Sequence, residues 1–481
     1  MRYVLQLILW IVLSFLSGCS GKNTQPDIVK NDLQPTFLSD KNSTNPEILG
    51  VWKSIGNGYY LEVRTDSLLL YSYTKSFCYK EKNAYLEGLL NSESQFVLLR
   101  DTLELYLTDF GDQTKILQTK KDFVKVDRLP ENQIGFSEQN TLSNAQRFQL
   151  YLENLQENYA FPLERDLDWN TLYQKYKDSL GSDDEMLFAT MGKVATLTKD
   201  QHTKVIAPDG KTLQYRITPT AETVREVFGQ QAEITDLNQY FNQFFATNYS
   251  NISDSLLLGK GKKAANGKLE YGHLTKSVGY LHIHSFAGYL EKGYTRRQQI
   301  DSLSAQMQNI ITTFKDTEAL IIDVSFNFGG YDATALTIAG YFTETPVFSH
   351  KSQVYWKGRF YEEDEVVIYP AATTAFTKPV YLLTTDISRS AAEGFAMMMR
   401  ALPKVKLIGT KTLGTLSGML GKSIGDFYTT YSNQRLVDSN GEFFEVSGVP
   451  PDIERVVFRK ENIFHSHKRT VRDIVKMIEA R

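Results

Sequence analysis

Ser390 is preceded by a buried-strand pattern, Val380 to Leu383, and a polar turn from Thr384 to Arg389, and is followed by Ala391-Ala392-Glu393 opening an apolar helix. A hydroxyl at the tip of such a turn lies beside the first helical amides, which lack intrahelical acceptors and carry the positive end of the helix dipole. An oxyanion formed there would meet ready donors, which suits a nucleophile. The same residues also spell an N-cap, with Glu393 completing a capping box, and this stretch alone favours that plainer role. A second signal is Gly329-Gly330, which follows the buried strand Ala319 to Val324. Paired glycines let a backbone approach a ligand and leave amides pointing at an anion, or simply make a strand-to-helix turn. His202, in Asp200-Gln201-His202, closes a helical stretch, where a lone histidine is more often a cap or surface residue than a catalyst. His282 and His284 alternate along a strand and share a face, but no acidic or sulfur ligand stands at a diagnostic spacing, so neither metal nor other cofactor is expected.

The elements that would position these groups follow from periodicity. Residues 46–130 alternate in short segments, among them Tyr59 to Val63, Ser67 to Tyr73, Gln95 to Leu99, Thr102 to Leu107 and Lys115 to Gln118, and predict a small antiparallel β domain. Residues 143–205 are helical, with Phe148, Leu152, Leu155 and Tyr159 in phase and Leu187, Met191 and Val194 on a second stripe. Residues 206–276 give no defensible domain, although Glu222 to Gln231 has helical character. From residue 277 to 457 strands and helices alternate: Val278 to His284, a helix from Arg297 to Phe314, Ala319 to Val324, then Asp332 to Phe342. Lys406 to Gly409, Gly425 to Tyr431 and Gly441 to Glu445 are further strand candidates, and residues 458–481 end in a helix. The fold class expected is therefore multidomain α+β, with a small β domain, a helical unit and a mixed α/β core.

Composition sets the outer bounds. A chain of 481 residues holds two or three domains. With 53 Lys plus Arg against 56 Asp plus Glu, and no basic run, nucleic-acid binding is unsupported. Arg2, a short apolar run from Val4 to Phe15, and Leu16-Ser17-Gly18-Cys19 resemble a bacterial lipoprotein signal. Residues 1–18 would be removed, Cys19 lipidated, and residues 19–45, polar and poor in large apolar groups, would tether the protein to a membrane of the cell envelope. Cys78 would then be the remaining thiol, so no intramolecular disulfide is expected.

Taken in order, His202, then Asp323 through Gly330 to Tyr331, Ser390-Ala391-Ala392-Glu393, Gly409-Thr410-Lys411-Thr412-Leu413-Gly414, and Glu445 with Gly448 to Asp452 resemble the tail-specific, or C-terminal-processing, serine peptidases. The likeness is nearest to the tricorn-core and retinoid-binding-protein-like branch and spans roughly residues 143 to 457. It implies Ser390 as nucleophile and the amides of Gly330 and Ala391 as oxyanion donors. The processing branch places a lysine base where this chain has Thr415, so the resemblance instead implies His202 as base and Glu445 as its orienting carboxylate. Gln201 stands where that branch can carry a serine. A triad of this kind needs the imidazole within hydrogen-bond reach of the hydroxyl and a carboxylate to fix its tautomer. The activity implied is peptide-bond hydrolysis of a peptide or protein substrate through an acyl-enzyme. A catalytically inactive peptide- or lipophile-binding lipoprotein of the same fold is the alternative, and a β-domain adhesion or scaffold lipoprotein a third. Convergence of Ser390, His202 and Glu445 discriminates them.

Overall fold

The computed structural model describes residues 48–65, 67–81, 95–99, 102–107, 119–136, 142–230, 236–259, 261–291, 294, 296–371 and 374–480. Cys19, its leader and tether, and the strand expected over 115–118 lie outside the described residues. The N-terminal unit is a seven-stranded antiparallel sheet built from β1 (Gly50–Ser54), β2 (Tyr59–Val63), β3 (Leu68–Tyr73), β4 (Cys78–Lys80), β5 (Gln95–Leu99), β6 (Thr102–Leu107) and β7 (Thr119–Val126). Its order is β4-β3-β2-β1-β7-β6-β5. Alternation in β2 puts Tyr59, Leu61 and Val63 into an apolar core.

That core is shared with the helical unit: α1 (Asn144–Asn158), α2 (Trp169–Tyr176) and α3 (Asp184–Leu197). Ser143 and Gln146 form a capping box at the start of α1, while Asp168 and Asp183 cap α2 and α3. Phe148, Leu155, Leu187, Met191 and Val194 pack into one cluster with Trp52 and Phe77 of the β domain. The chain then forms β8 (Lys204–Ile206), β9 (Thr212–Gln214), α4 (Pro219–Phe228) and α5 (Leu237–Ser253). The last of these helices is unreadable in the sequence because its polar and aromatic residues mask an apolar stripe of Tyr240, Phe244 and Ile252.

The core contains β10 (Lys262–Ala264), β11 (Leu269–His273), β12 (Val278–Ile283), α6 (Arg296–Thr313), β13 (Ala319–Asp323), α7 (Asp332–Ala339), β14 (Val347–Trp356) and β15 (Arg359–Ile368). It continues with β16 (Val380–Thr384), α8 (Ala391–Arg400), β17 (Val405–Gly409), β18 (Met419–Ile424), β19 (Phe427–Ser432), β20 (Gln434–Asp438), β21 (Ile453–Glu454) and α9 (Ser466–Glu479). The central sheet runs β10-β11-β12-β13-β16-β17-β21. It is parallel from β12 to β21 and antiparallel at the β10-β11 edge, hence mixed. β13 and β16 are wholly buried, as parallel strands covered on both faces must be. Two smaller sheets, β15-β14-β20 and β18-β19-β8-β9, complete the core, and the second joins the helical unit to the peptide chain beyond Ser390.

One expected element differs. The stretch from Gly441 to Glu445 is not a strand but a loop that ends in a turn. Glu445 spends its carboxylate on neighbouring amides, and Val446 holds φ +70, which no strand allows.

Candidate active site

Ser390 sits where β16 passes into α8. Its backbone is left-handed and strained, φ 56 and ψ −130, whereas an ordinary N-cap is extended. This shape pushes the residue out of the chain path, as a nucleophile elbow does. The turn is fixed from beneath: Ser388 Oγ donates to the Val324 carbonyl at 2.7 Å, Thr385 Oγ1 to the Ser325 carbonyl at 2.6 Å, and the Arg389 amide to the Asn327 carbonyl at 3.2 Å. Glu393 accepts the Ser390 amide at 3.2 Å, which is half of the expected capping box.

The glycine pair faces this turn. A Cβ on Gly329 would stand 2.7 Å from the Ser390 Cβ and 3.0 Å from the Ala391 nitrogen. One on Gly330 would stand 2.4 Å from the Phe286 carbonyl carbon, and both glycines have positive φ. The Asn327 side chain accepts the Gly329 amide at 2.7 Å and donates to the Ile283 carbonyl at 2.8 Å, so the loop is held at both ends. Among the described residues, neither the Gly330 nor the Ala391 amide donates to a backbone carbonyl. They lie on the two segments that meet at Ser390, as donors to an oxyanion would.

His202 is 2 % exposed and follows α3 in a tight turn. Asp200 accepts the His202 amide at 2.8 Å and the Thr203 hydroxyl at 2.9 Å, and Thr430 Oγ1 donates to the His202 carbonyl at 2.7 Å. The histidine loop touches the serine turn directly, because the Gln201 side chain accepts a hydrogen bond from Arg389, the residue before Ser390. Arg389 also lies 4.4 Å from the centre of the Phe328 ring, on the strand-to-glycine loop.

Glu445 reaches the same place through the loop that follows β17. Its carboxylate accepts the Leu416 and Ser417 amides at 2.7 and 3.0 Å, and an Arg165 N–H at 3.2 Å. Thr415, adjacent to Leu416, gives its carbonyl to the Ser390 amide at 3.0 Å. Burial raises the Glu445 carboxyl to about 7; the Asp200 charge adds to the rise, while Arg165 and His202 oppose it. Burial also works against the Asp200 charge, but Arg165, His202 and the His202 amide outweigh it and keep that carboxyl low.

Two residues shape the site that sequence reading left in lesser roles or passed over. Glu393, a capping residue by sequence, is fully buried and accepts the Thr412 hydroxyl at 2.6 Å and the Gly414 and Thr415 amides at 2.6 and 2.8 Å. It staples the Gly/Thr loop to the serine turn. Arg165 carries no sequence signal, since a solvated turn between helices and an inward-facing arginine read alike. His282 and His284 stack with ring centres 3.9 Å apart, and His284 faces Glu270 at 3.6 Å. No group of three histidine, cysteine or acidic side chains able to hold a metal is found among the described residues. Lys422 lies away from Ser390: it is buried, donating to the Gly58 carbonyl at 2.9 Å and Ser72 Oγ at 3.0 Å in the β domain.

A serine on a strained strand-to-helix turn, opposite paired glycines at the carboxyl ends of a mixed sheet, is the arrangement of a tail-specific-type peptidase core. Residues 277–455 match the model of peptidase family S41. The Tail-specific protease of Haemophilus influenzae is 27 % identical over 188 residues, 37 % of this chain. The chain spans about a quarter, 24 %, of that relative's length. A candidate peptidase from Parabacteroides merdae, solved by crystallography, superimposes with a TM-score of 0.54 at 22 % identity, over 68 % of this chain and 93 % of its own. That likeness extends the shared fold beyond the family-matched core.

Proposed function

We propose that this chain is a serine peptidase that hydrolyses peptide bonds of a peptide or protein substrate, with Ser390 as nucleophile, His202 as base and Glu445 as the carboxylate that orients it. The observation carrying this reading is the meeting of three loops: the Arg389–Gln201 hydrogen bond joins the serine and histidine turns, and the Ser390–Thr415 bond leads to the amides held by Glu445. Ser390 Oγ attacks the scissile carbonyl as its proton passes to the His202 imidazole. The new oxyanion takes the Gly330 and Ala391 amides, each such donor being worth about 3 kcal/mol. The amine departs with the proton from His202, leaving an ester on Ser390; water then adds by the same route and restores the hydroxyl. Incubating the protein with a diverse peptide pool and mapping new termini by mass spectrometry tests this. Cleavage that is absent in Ser390→Ala and His202→Ala supports it, and a folded wild type that cuts nothing favours the inactive binding protein.

The lipid tether through Cys19 belongs to the same proposal and rests on the leader pattern alone. Metabolic labelling with a palmitate analogue should mark the wild type and not Cys19→Ser. Label that persists in the variant contradicts anchoring at that residue.

A further inference from the structure

Arg165 lies on the 162–167 turn between α1 and α2, a turn closed by the Leu167 amide on the Pro162 carbonyl at 2.8 Å with Asp166 at positive φ. The turn sends the arginine inward, leaving 7 % of its side chain exposed, while Leu163 beside it is 89 % exposed. Its guanidinium donates to the Lys199 carbonyl at 2.7 Å, to the Gly414 carbonyl at 3.3 Å and to the Glu445 carboxylate at 3.2 Å. Lys199 begins the turn that carries His202 and is itself left-handed, φ 52. Gly414 lies in the loop that Glu393 staples beneath Ser390. One planar fork thus spans the three segments that the proposed chemistry requires to meet, a task for which guanidinium geometry is suited and a lysine amine is not.

We propose that Arg165 is a positioning residue of the candidate site: it clamps the His202 turn, the Gly414 loop and Glu445 together, and its fixed charge favours an ionised Glu445 and a neutral imidazole. This rests on the serine-peptidase reading for its role in turnover, but the clamp and its charge act in the folded protein whether or not it cuts. The groups facing Glu445 are Arg165, Asp200, His202 and Glu393, and the carboxylates facing His202 are Asp200, Asp332 and Glu445. Arg165 is the permanent cation among them. Removing that cation raises the proton affinity of Glu445 and of His202 alike, so the acid limb of any reaction needing both deprotonated moves to higher pH.

The test compares wild type, Arg165→Met, Arg165→Gln and Arg165→Lys by two readouts across pH 5 to about 9. One is the rate of labelling by a fluorophosphonate. The other is the titration of the His202 imidazole by NMR on histidine-labelled protein, its signal assigned by loss in His202→Ala. In the Met and Gln variants the midpoint of both should rise by about one pH unit, with labelling at pH 7 at least tenfold slower. The Lys variant should keep the wild-type midpoint and label several-fold more slowly, because it restores the charge but not the fork. A folded Met or Gln variant with unchanged midpoints overturns the inference, as does a Lys variant that equals wild type in rate if the other two fail to fold. Wild type that never labels, while the His202 titration still shifts in Arg165→Met, removes the peptidase reading and leaves the Arg165 clamp standing.

Discussion

At Ser390 the backbone itself stores strain, and this alters what substitution there should do. At an ordinary extended N-cap an alanine would be unstrained and would lose only the cap. With φ 56 and ψ −130, however, alanine inherits the same strained conformation. Ser390→Ala should therefore abolish cleavage with a melting temperature close to wild type. Ser390→Gly should be equally inactive but more stable than Ser390→Ala by about 1 kcal/mol, since glycine tolerates positive φ at some cost in chain entropy; thermal denaturation of the pair checks this. Glu445 adds a pH signature. Its folded carboxyl titrates near 7, above the ordinary glutamate value. A raised carboxyl contributes stability that is fully present below the unfolded pKa and lost as pH rises through the folded one. Its contribution should thus decline from pH about 4.5 to just above 7, while activity rises toward neutral pH as Glu445 ionises. Denaturant unfolding and turnover measured over that range should move in opposite senses, and a parallel rise would contradict the assignment. Ser390, Gly330 and Ala391 stand out as candidates because strand, turn and helix patterns frame them. His202 and Glu445 are candidates only as positions in a family's order, for nothing local distinguishes a catalytic histidine from a capping one.

At the scale of elements, the site depends on loops rather than on strand or helix interiors. Glu393 accepts hydrogen bonds from Thr412, Gly414 and Thr415 as well as from Ser390. Glu393→Ala leaves those donors buried without an acceptor and should lower stability by about 3 kcal/mol and activity by a larger factor than Tm alone explains. Urea denaturation and peptide cleavage on the same preparation check the two effects. Gly330→Ala would drive a methyl group into the Phe286 backbone, so the Gly329-Gly330 loop proposed to hold the oxyanion must shift. A loss in kcat of a hundredfold or more, with KM little changed, is expected from displacing one donor. The regular elements were visible from periodicity: β2, β13, β17 and α6 fall within a residue or so of expectation. The short β8 and β9 and the helix α5 escaped it, because three-residue strands are too brief for a period and α5 mixes polar with apolar positions. The loop after Gly441 reads as a strand because Phe443 and Phe444, both strand formers, stand between Glu442 and Glu445.

At the scale of the molecule, the β domain is bound to the rest through buried polar contacts and not merely carried alongside. Glu81 of the β domain accepts from Ser72 and from the Ser423 amide, and Lys422 of the core reaches back to Gly58 and Ser72 over the Tyr59 ring. Glu153 of α1 accepts the hydroxyls of Thr74 and Ser76, and Trp356 packs edge-on against Tyr73. Lys422→Ala strands Glu81 in this interface and should cost about 3 kcal/mol, whereas exposed Lys411→Ala should change neither stability nor turnover. In the proposed mechanism neither lysine serves as the base, so any loss of turnover in Lys422→Ala should follow its loss of stability. Among the described residues no helix is long and apolar enough to cross a membrane. The central claim, that Ser390 is an activated nucleophile, is tested most directly by treating purified protein with a fluorophosphonate and locating the adduct by peptide mass spectrometry. A single adduct on Ser390, absent in His202→Ala and after heat denaturation, is the predicted result. An unlabelled Ser390 in folded wild type across pH 6 to about 9 would contradict it.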